Sequence, residues 1–262
     1  MYIGFYESTK NARVNDVKLL KNIKEIEMRT PYGPPSDSIT VGELNGRRLA
    51  FLPRHGKKHT IRPTDVNSRA NIIALKKLGV HRILATSTVG SLREDFKPGE
   101  VVVVDQFIDR TTRREESFYT KKRVCHISVA EPFCPELRQV LIETAQAIDV
   151  NAHNTGTFVC IEGPRFSTKA ESRMHKMWGA DVVGMTIVPE CVLAREAEIC
   201  YAAIAVVTDY DVWKDKPVCV EDVIRTMRGN VEKTRKILAE TIPRIPKEKR
   251  CECKTALKNA LI

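Results

Sequence analysis

The sequence predicts one α/β domain, a mixed β-sheet flanked by helices, on three observations. Ala203-Ile204-Ala205-Val206-Val207 is an apolar run of the kind buried on both faces of a sheet. Val101-Val102-Val103-Val104 is a second such run. Around them, short strand-like runs alternate with segments whose apolar residues recur at helical spacing, and no repeat, low-complexity tract or linker breaks the order.

The first thirty residues are polar, and 16–23 reads as a short helix. Thr30 to Asp37 is a loop by its Pro and Gly content. Ile39 to Leu44 and Arg48 to Leu52 flank Asn45-Gly46, which predicts a hairpin. A basic loop, Pro53 to His59, follows directly. Arg69 to Leu78 is helical and stops at Gly79. Ile83 opens a strand that ends in Thr86-Ser87-Thr88-Val89-Gly90-Ser91. Glu100 to Ile108 reads as one strand, and Asp109 to Arg123 as an exposed charged loop. Leu137, Val140, Leu141, Ala145 and Ile148 give Pro135 to Ile148 a helical stripe.

Thr157 to Ile161 is a strand ending at Glu162-Gly163-Pro164-Arg165-Phe166-Ser167. Ser167 to Trp178 is a helix capped by Ser167 or Thr168, with Glu171 in its first turn. Asp181 to Gly184 is a short strand. Pro189 to Tyr201 is a helix feeding the central strand. Val220 to Ile242 is a long amphipathic helix ended by Pro243 and Pro246, and Lys254 to Leu261 adds a last turn or two.

The formal charge of +10 favours anionic partners. Lys and Arg are scattered rather than blocked, so a small phosphate-bearing molecule fits and no nucleic-acid module is indicated. No apolar run approaches the ~18 residues of a membrane span. The start lacks a basic leader, so the expected compartment is the cytoplasm. Cys160, Cys191 and Cys200 lie in apolar patterns and read as buried thiols. Cys251-Glu252-Cys253 stands apart from those patterns.

In open α/β sheets ligands bind beyond the carboxyl ends of strands. The central strand ends at Thr208-Asp209-Tyr210-Asp211, and extended backbone sends both carboxylates to one side. They would accept hydrogen bonds from an amine or the N–H of a base; a polar turn capping a core strand suits them equally. Arg54 offers a fork of donors matching phosphate. His55, Ser87, Thr88, Gly90 and Thr186 stand at other strand ends, and their recurrence points to one shared anion site. The Walker spacing is absent. His55 and His59 lack the adjacent Glu of a zinc protease, and there is no Cys-x-x-Cys, so no metal is expected. No Gly-x-Ser-x-Gly elbow is present.

Glu162-Gly163-Pro164-Arg165-Phe166-Ser167 with Ala170-Glu171-Ser172, then Gly184-Met185-Thr186-Ile187-Val188-Pro189-Glu190, then Thr208-Asp209-Tyr210-Asp211 closely resemble the 5′-methylthioadenosine phosphorylases, in the trimeric branch of the purine nucleoside phosphorylases. Pro53-Arg54-His55-Gly56, Gly90-Ser91-Leu92 and Asp105-Gln106-Phe107-Ile108-Asp109 agree, as do Cys125-His126 and Pro132-Phe133-Cys134. The resemblance implies a single nucleoside phosphorylase domain over 1–262, with a divergent N-terminal segment at 1–29 and a Cys-x-Cys tail at 243–262.

It implies phosphorolysis of 5′-methylthioadenosine to adenine and 5-methylthioribose 1-phosphate, with inorganic phosphate as co-substrate and no metal or organic cofactor. Arg54, His55, Ser87, Thr88 and Thr186 would hold phosphate. Phe166 would stack on the purine and Met185 would lie beneath the ribose. Ser167, Thr208, Asp209 and Asp211 would surround the base, with Asp209 serving N7. Val220 and Val223 would line the 5′-methylthio pocket, with His59 nearby and His126 from a neighbouring subunit of a trimer or dimer of trimers. Plain core roles suit Met185 and Phe166 as well, an ordinary helix stripe suits Val220 and Val223, and surface roles suit His59 and His126.

Several positions depart from the family. Its N-terminal Gly-Gly-Ser/Thr-Gly phosphate loop corresponds to Lys10-Asn11-Ala12-Arg13, and Ser68 and Ile73 replace usual aromatics. A nucleoside-binding member with weak or lost catalysis, a broad-specificity purine nucleoside phosphorylase and a water-using nucleosidase are the alternatives. The resemblance also implies a Cys134–Cys200 disulfide and a redox-active Cys251–Cys253 ring, while a further bridge is barred by Lys254 and Arg195.

Overall fold

Eleven strands form one mixed sheet in the computed structural model, which describes residues 2–7, 20–121, 123–214 and 220–262. The side chains of Tyr6, Glu7, Val220, 222–224 and 227–229 lie outside the described residues, as does the 10–13 segment where the phosphate loop departs. The strands are β1 (Tyr2–Glu7), β2 (Lys21–Ile26), β3 (Ile39–Leu44), β4 (Arg47–Pro53), β5 (Val80–Ser91), β6 (Val101–Val103), β7 (Gln106–Arg110), β8 (Ala152–His153), β9 (Thr157–Ile161), β10 (Val182–Gly184) and β11 (Cys200–Asp209). The helices are α1 (Ser68–Lys77), α2 (Pro135–Ala147), α3 (Lys169–Met177), α4 (Glu190–Glu196) and α5 (Val220–Arg244). Among the described residues, no helix is long and apolar enough to cross a membrane.

The sheet forks at β5. β11 runs parallel along one edge of β5 from Arg82 to Gly90. The other edge carries β1 from Val80 to Ala85 and then antiparallel β10 at Gly90 and Ser91. Thr86 to Val89 therefore face a gap in the sheet, open between two strands. Beyond β11 the sheet continues through β6 and β8, and beyond β10 through β9 and β7. Only Asp209 of β11 escapes full burial, which explains its unbroken apolar composition. One apolar cluster packs against α1 and α4, and a second against α2 and α5.

The hairpin at Asn45-Gly46 forms, with both residues at positive φ (49° and 72°), as a type I′ turn requires. The expected helix at 16–23 does not extend over its described part: Lys21-Asn22-Ile23 belongs to β2, an edge strand paired with β3. β1 went unread because its run is only six residues. It inserts parallel between β4 and β5, with Phe5 stacked on Phe51 at 4.8 Å.

The single strand expected over 100–108 is two. Val101–Val103 pairs with β11, and Gln106–Arg110 pairs with β9 on the other branch. The chain crosses at Val104-Asp105, where Asp105 Oδ1 accepts from Gly156 N at 2.9 Å. The 109–123 loop is anchored rather than free, because Arg114 is buried to a side-chain exposure of 6% and donates to Val188 O at 2.7 Å. The helix read as reaching Tyr201 stops at Glu196: Glu198 takes φ 55° and turns the chain into β11.

The Cys134–Cys200 disulfide is not formed, and neither is the Cys251–Cys253 ring; all seven described cysteines are free. Three segments carry four sulfurs to one place, so no pair is singled out. Cys200 Sγ lies 3.4 Å from Cys251 Sγ, well beyond the ~2.05 Å of a disulfide.

Candidate active site

The gap along β5 is lined by a buried ionic network. Arg54 follows β4 and is 1% exposed. Its Nε and Nη2 donate to the two oxygens of Glu190 at 2.6 and 2.9 Å, and Nη1 donates to Thr86 O at 2.7 Å. Tyr201 Oη donates to Glu190 Oε2 at 2.6 Å, and burial pushes that phenol well up, so it stays protonated. The guanidinium plane is thus held from β5, α4 and β11 together. Sequence reasoning missed Glu190 and Tyr201; the only local signal was a Glu opening a helix beside Pro189.

His55 is buried beside it. Its Nδ1 lies 2.9 Å from Ile61 O, and a carbonyl only accepts, so Nδ1 carries the proton. Burial, then the Arg54 charge, hold its pKa down to about 3. The ring is neutral near pH 7, and Nε2 presents a lone pair. His59 is exposed, with its ring 4.6 Å from that of His55. Ser87 Oγ and Thr186 Oγ1 meet at 2.7 Å across the gap between β5 and the turn after β10. Thr88 is half-buried one residue on. Arg54, Ser87 and Thr186 are therefore brought together, with His55 next to Arg54.

Asp209 ends β11 at a bulge, where it registers with Gly90. A side chain at 90 would put its Cβ 2.8 Å from Asp209 Oδ1, so Gly90 makes room for the carboxylate. Asp209 Oδ1 accepts from Asp211 N, and Thr208 Oγ1 lies against Oδ2, both at 2.8 Å. Burial pushes the Asp209 carboxyl above the usual range against those hydrogen bonds. The chain does not stay extended: Asp211 takes φ 50°, and the turn aims its backbone N, rather than a side chain set by strand alternation, at the Asp209 carboxylate.

Around Asp211 sit Ser167, Ser172 and His175. Burial pushes Asp211 up, partly offset by those hydroxyls and by His175. Ser167 Oγ, Ser172 Oγ, His175 Nδ1 and Asp211 Oδ2 are all buried, so the polar groups of this cluster face one another rather than water. Ser172 and His175 were not legible as site residues, since they read as ordinary positions on a helix.

The loop between β9 and α3 carries Phe166, 41% exposed, beside buried Ser167. Gly163 takes φ 70°, and a Cβ there would lie 2.5 Å from Met185 Sδ, so this glycine admits Met185. The expected cap of α3 is Thr168, in a full capping box with Glu171. Glu162 pins the loop: Thr64 Oγ1 donates to it at 2.6 Å, Thr112 N at 2.7 Å and Arg114 Nε at 3.2 Å. Burial opposes ionisation, but those bonds hold Glu162 down to about 2. Its contribution to stability is present above the ordinary pKa of 4.5 and is lost as pH falls towards 2. Glu162→Gln is expected to lower Tm at neutral pH and flatten its fall below pH ~4. Parallel Tm curves for both proteins through that range would contradict this.

His126 is exposed on a segment whose backbone N donates to Ala260 O at 2.7 Å. Val220 opens α5 and Val223 follows it; nothing of their side chains is described.

The phosphorylase superfamily matches residues 14–243. The S-methyl-5′-thioadenosine phosphorylase of Nitrosopumilus maritimus is 57% identical over 98% of this chain and 97% of the relative. That of Thermofilum pendens is 56% identical over 93% of each. A methylthioadenosine phosphorylase from Schistosoma mansoni, solved in complex with adenine, superposes with a TM-score of 0.92 at 41% identity, covering 98% of this chain and 96% of that one. The fold is the nucleoside phosphorylase fold, and the chain belongs to the phosphorylase superfamily and, within it, to the methylthioadenosine phosphorylases.

Proposed function

We propose that this chain is a cytoplasmic pentosyltransferase that converts 5′-methylthioadenosine and phosphate to adenine and 5-methylthioribose 1-phosphate. The observation that carries this reading is the raised Asp209 carboxyl beside the buried Asp211 cluster, on the same forked sheet as Arg54, His55, Ser87 and Thr186. The relatives' shared name supports the same substrate.

Phosphate is held by Arg54, Ser87, Thr88 and Thr186. His55 Nε2, a lone pair, accepts from the P–OH of hydrogen phosphate. A phosphate oxygen forms the new bond to C1′ as the C1′–N9 bond breaks, and positive charge builds on the sugar. Phosphate stabilises that charge where it develops. The electron pair leaves with adenine, and Asp209 delivers a proton to N7. Phe166 stacks on the purine, Met185 lies under the ribose, and Ser167, Thr208 and Asp211 surround the base. Val220, Val223 and His59 enclose the methylthio group, with His126 from a neighbour in a trimer or dimer of trimers. No metal or organic cofactor takes part in these steps.

Carboxylates accept from the adenine N6 amine and the N7–H. A 6-oxopurine offers an acceptor at that edge, leaving a carboxylate unpaired at roughly 1–3 kcal/mol. Incubation with methylthioadenosine, with and without phosphate, tests the reading. Phosphate-dependent sugar 1-phosphate is the expected result. Equal adenine release in both would make it a nucleosidase, and binding without release a non-catalytic member. Inosine turned over faster than methylthioadenosine would overturn the base assignment.

A further inference from the structure

Four sulfurs converge at the end of β11 remote from the proposed active site. Cys134 is the N-cap of α2, Cys200 opens β11, and Cys251 and Cys253 lie at the turn Glu252–Thr255 near the chain's end. Their Sγ atoms all lie within 4.8 Å of one another. All four residues are buried, none more than 9% exposed. Four thiolates arranged tetrahedrally at ~2.3 Å from a central zinc ion stand about 3.8 Å apart, so the Cys200–Cys251 pair, at 3.4 Å, opens slightly and the wider pairs, none beyond 4.8 Å, close. Thiols used merely as small hydrophobes have no reason to collect from three separate segments.

The surroundings suit an anionic cluster. Cys134 makes no side-chain cap to α2, so its sulfur is not engaged by the helix, while the helix's positive end lies at the cluster. Arg82, 0% exposed, is the register partner of Cys200 on β5, so the two side chains leave the same face of the sheet. Arg82 Nη2 donates to Glu248 O at 2.7 Å and to Glu136 Oε1 at 3.2 Å, tying together the tail and the first turn of α2.

We propose that Cys134, Cys200, Cys251 and Cys253 bind one zinc ion as a tetrathiolate that pins the C-terminal tail to α2 and β11. Binding releases the remaining thiol protons to solvent and leaves a complex of net charge −2 beside Arg82; nothing is oxidised or reduced. Cys200 and Asp209 are the two ends of β11, about 30 Å apart at ~3.3 Å per residue, so the ion is structural and not part of the reaction. Beyond the pinned residues, Ile262 pairs with Val124 in both directions at 3.2 and 3.0 Å, which carries the tail to the His126 segment.

The test is metal analysis of the full chain, produced in zinc-supplemented medium and purified anaerobically with reductant. About one zinc per chain is expected, lost in Cys253→Ser and kept in Cys191→Ser, whose thiol lies in the other apolar cluster. Should Cys253→Ser fail to fold, wild-type chain is stripped with a chelator and reloaded with Co2+ alone. A thiolate-to-cobalt charge-transfer band and intense visible absorption are expected, with Tm falling on stripping and recovering with Zn2+. A reduced chain that holds no zinc and gives no cobalt spectrum overturns the proposal. So does a disulfide among these four cysteines in the anaerobic preparation.

Discussion

Asp209→Asn is expected to lower kcat/KM for methylthioadenosine by about 10²–10⁴, the usual worth of a positioned general acid. The amide keeps the shape: its oxygen can still accept from Asp211 N, and its nitrogen can face Thr208 Oγ1, each now 2.8 Å from a carboxylate oxygen. What it cannot do is deliver a proton to N7. The pH profile separates the two roles. Burial raises the Asp209 pKa, so the acid form persists above the ordinary 3.8, and wild-type activity should fall as pH rises through the raised value. The variant should lack that limb. A ribosyl substrate whose leaving group departs as a stable anion should be far less affected. Stability moves the other way. The wild-type carboxyl favours folding below 3.8, and that contribution is lost as pH rises through the raised pKa, so Asn should hold or raise Tm at neutral pH. Equal losses on both kinds of substrate would assign Asp209 to binding alone.

The central strand, the Asn45-Gly46 hairpin and the α3 cap were legible because each is a local pattern with one physical solution. The N-terminal strands β1 and β2 were not, because six residues of mixed polarity carry little periodicity. Nor was the split of 100–108: a buried valine run shows that the chain is covered on both faces, not where it changes partner. The carboxylates at 209 and 211 could be named from the strand end, but their relation depended on a turn at Asp211 that alternation does not foresee. Glu190 acts on Arg54 across a separation of 136 residues, which no local pattern encodes. The thiols failed for the same reason. Each looked like a core cysteine, and only the fold shows that four of them share one point.

Glu190→Gln is expected to cost about 3–5 kcal/mol, because it leaves the buried Arg54 charge without its carboxylate. For a chain of this size that is a fall in Tm of roughly 6–20 °C. The variant is nearly isosteric, so packing does not explain such a loss; the charge does. Tyr201→Phe removes one neutral donor to the same carboxylate at 2.6 Å and should cost only ~1 kcal/mol beyond any change in packing. The kinetic consequence should be selective. Glu190 fixes the guanidinium plane through two bonds, at 2.6 and 2.9 Å, so its loss should raise the KM for phosphate much more than that for methylthioadenosine. Phosphate should also stabilise the variant more than the wild type, since an anion in the site becomes the partner that Arg54 has lost. A variant with a lowered Tm, an unchanged phosphate KM and no added phosphate stabilisation would confine Glu190 to the core. It would then have no part in aiming Arg54.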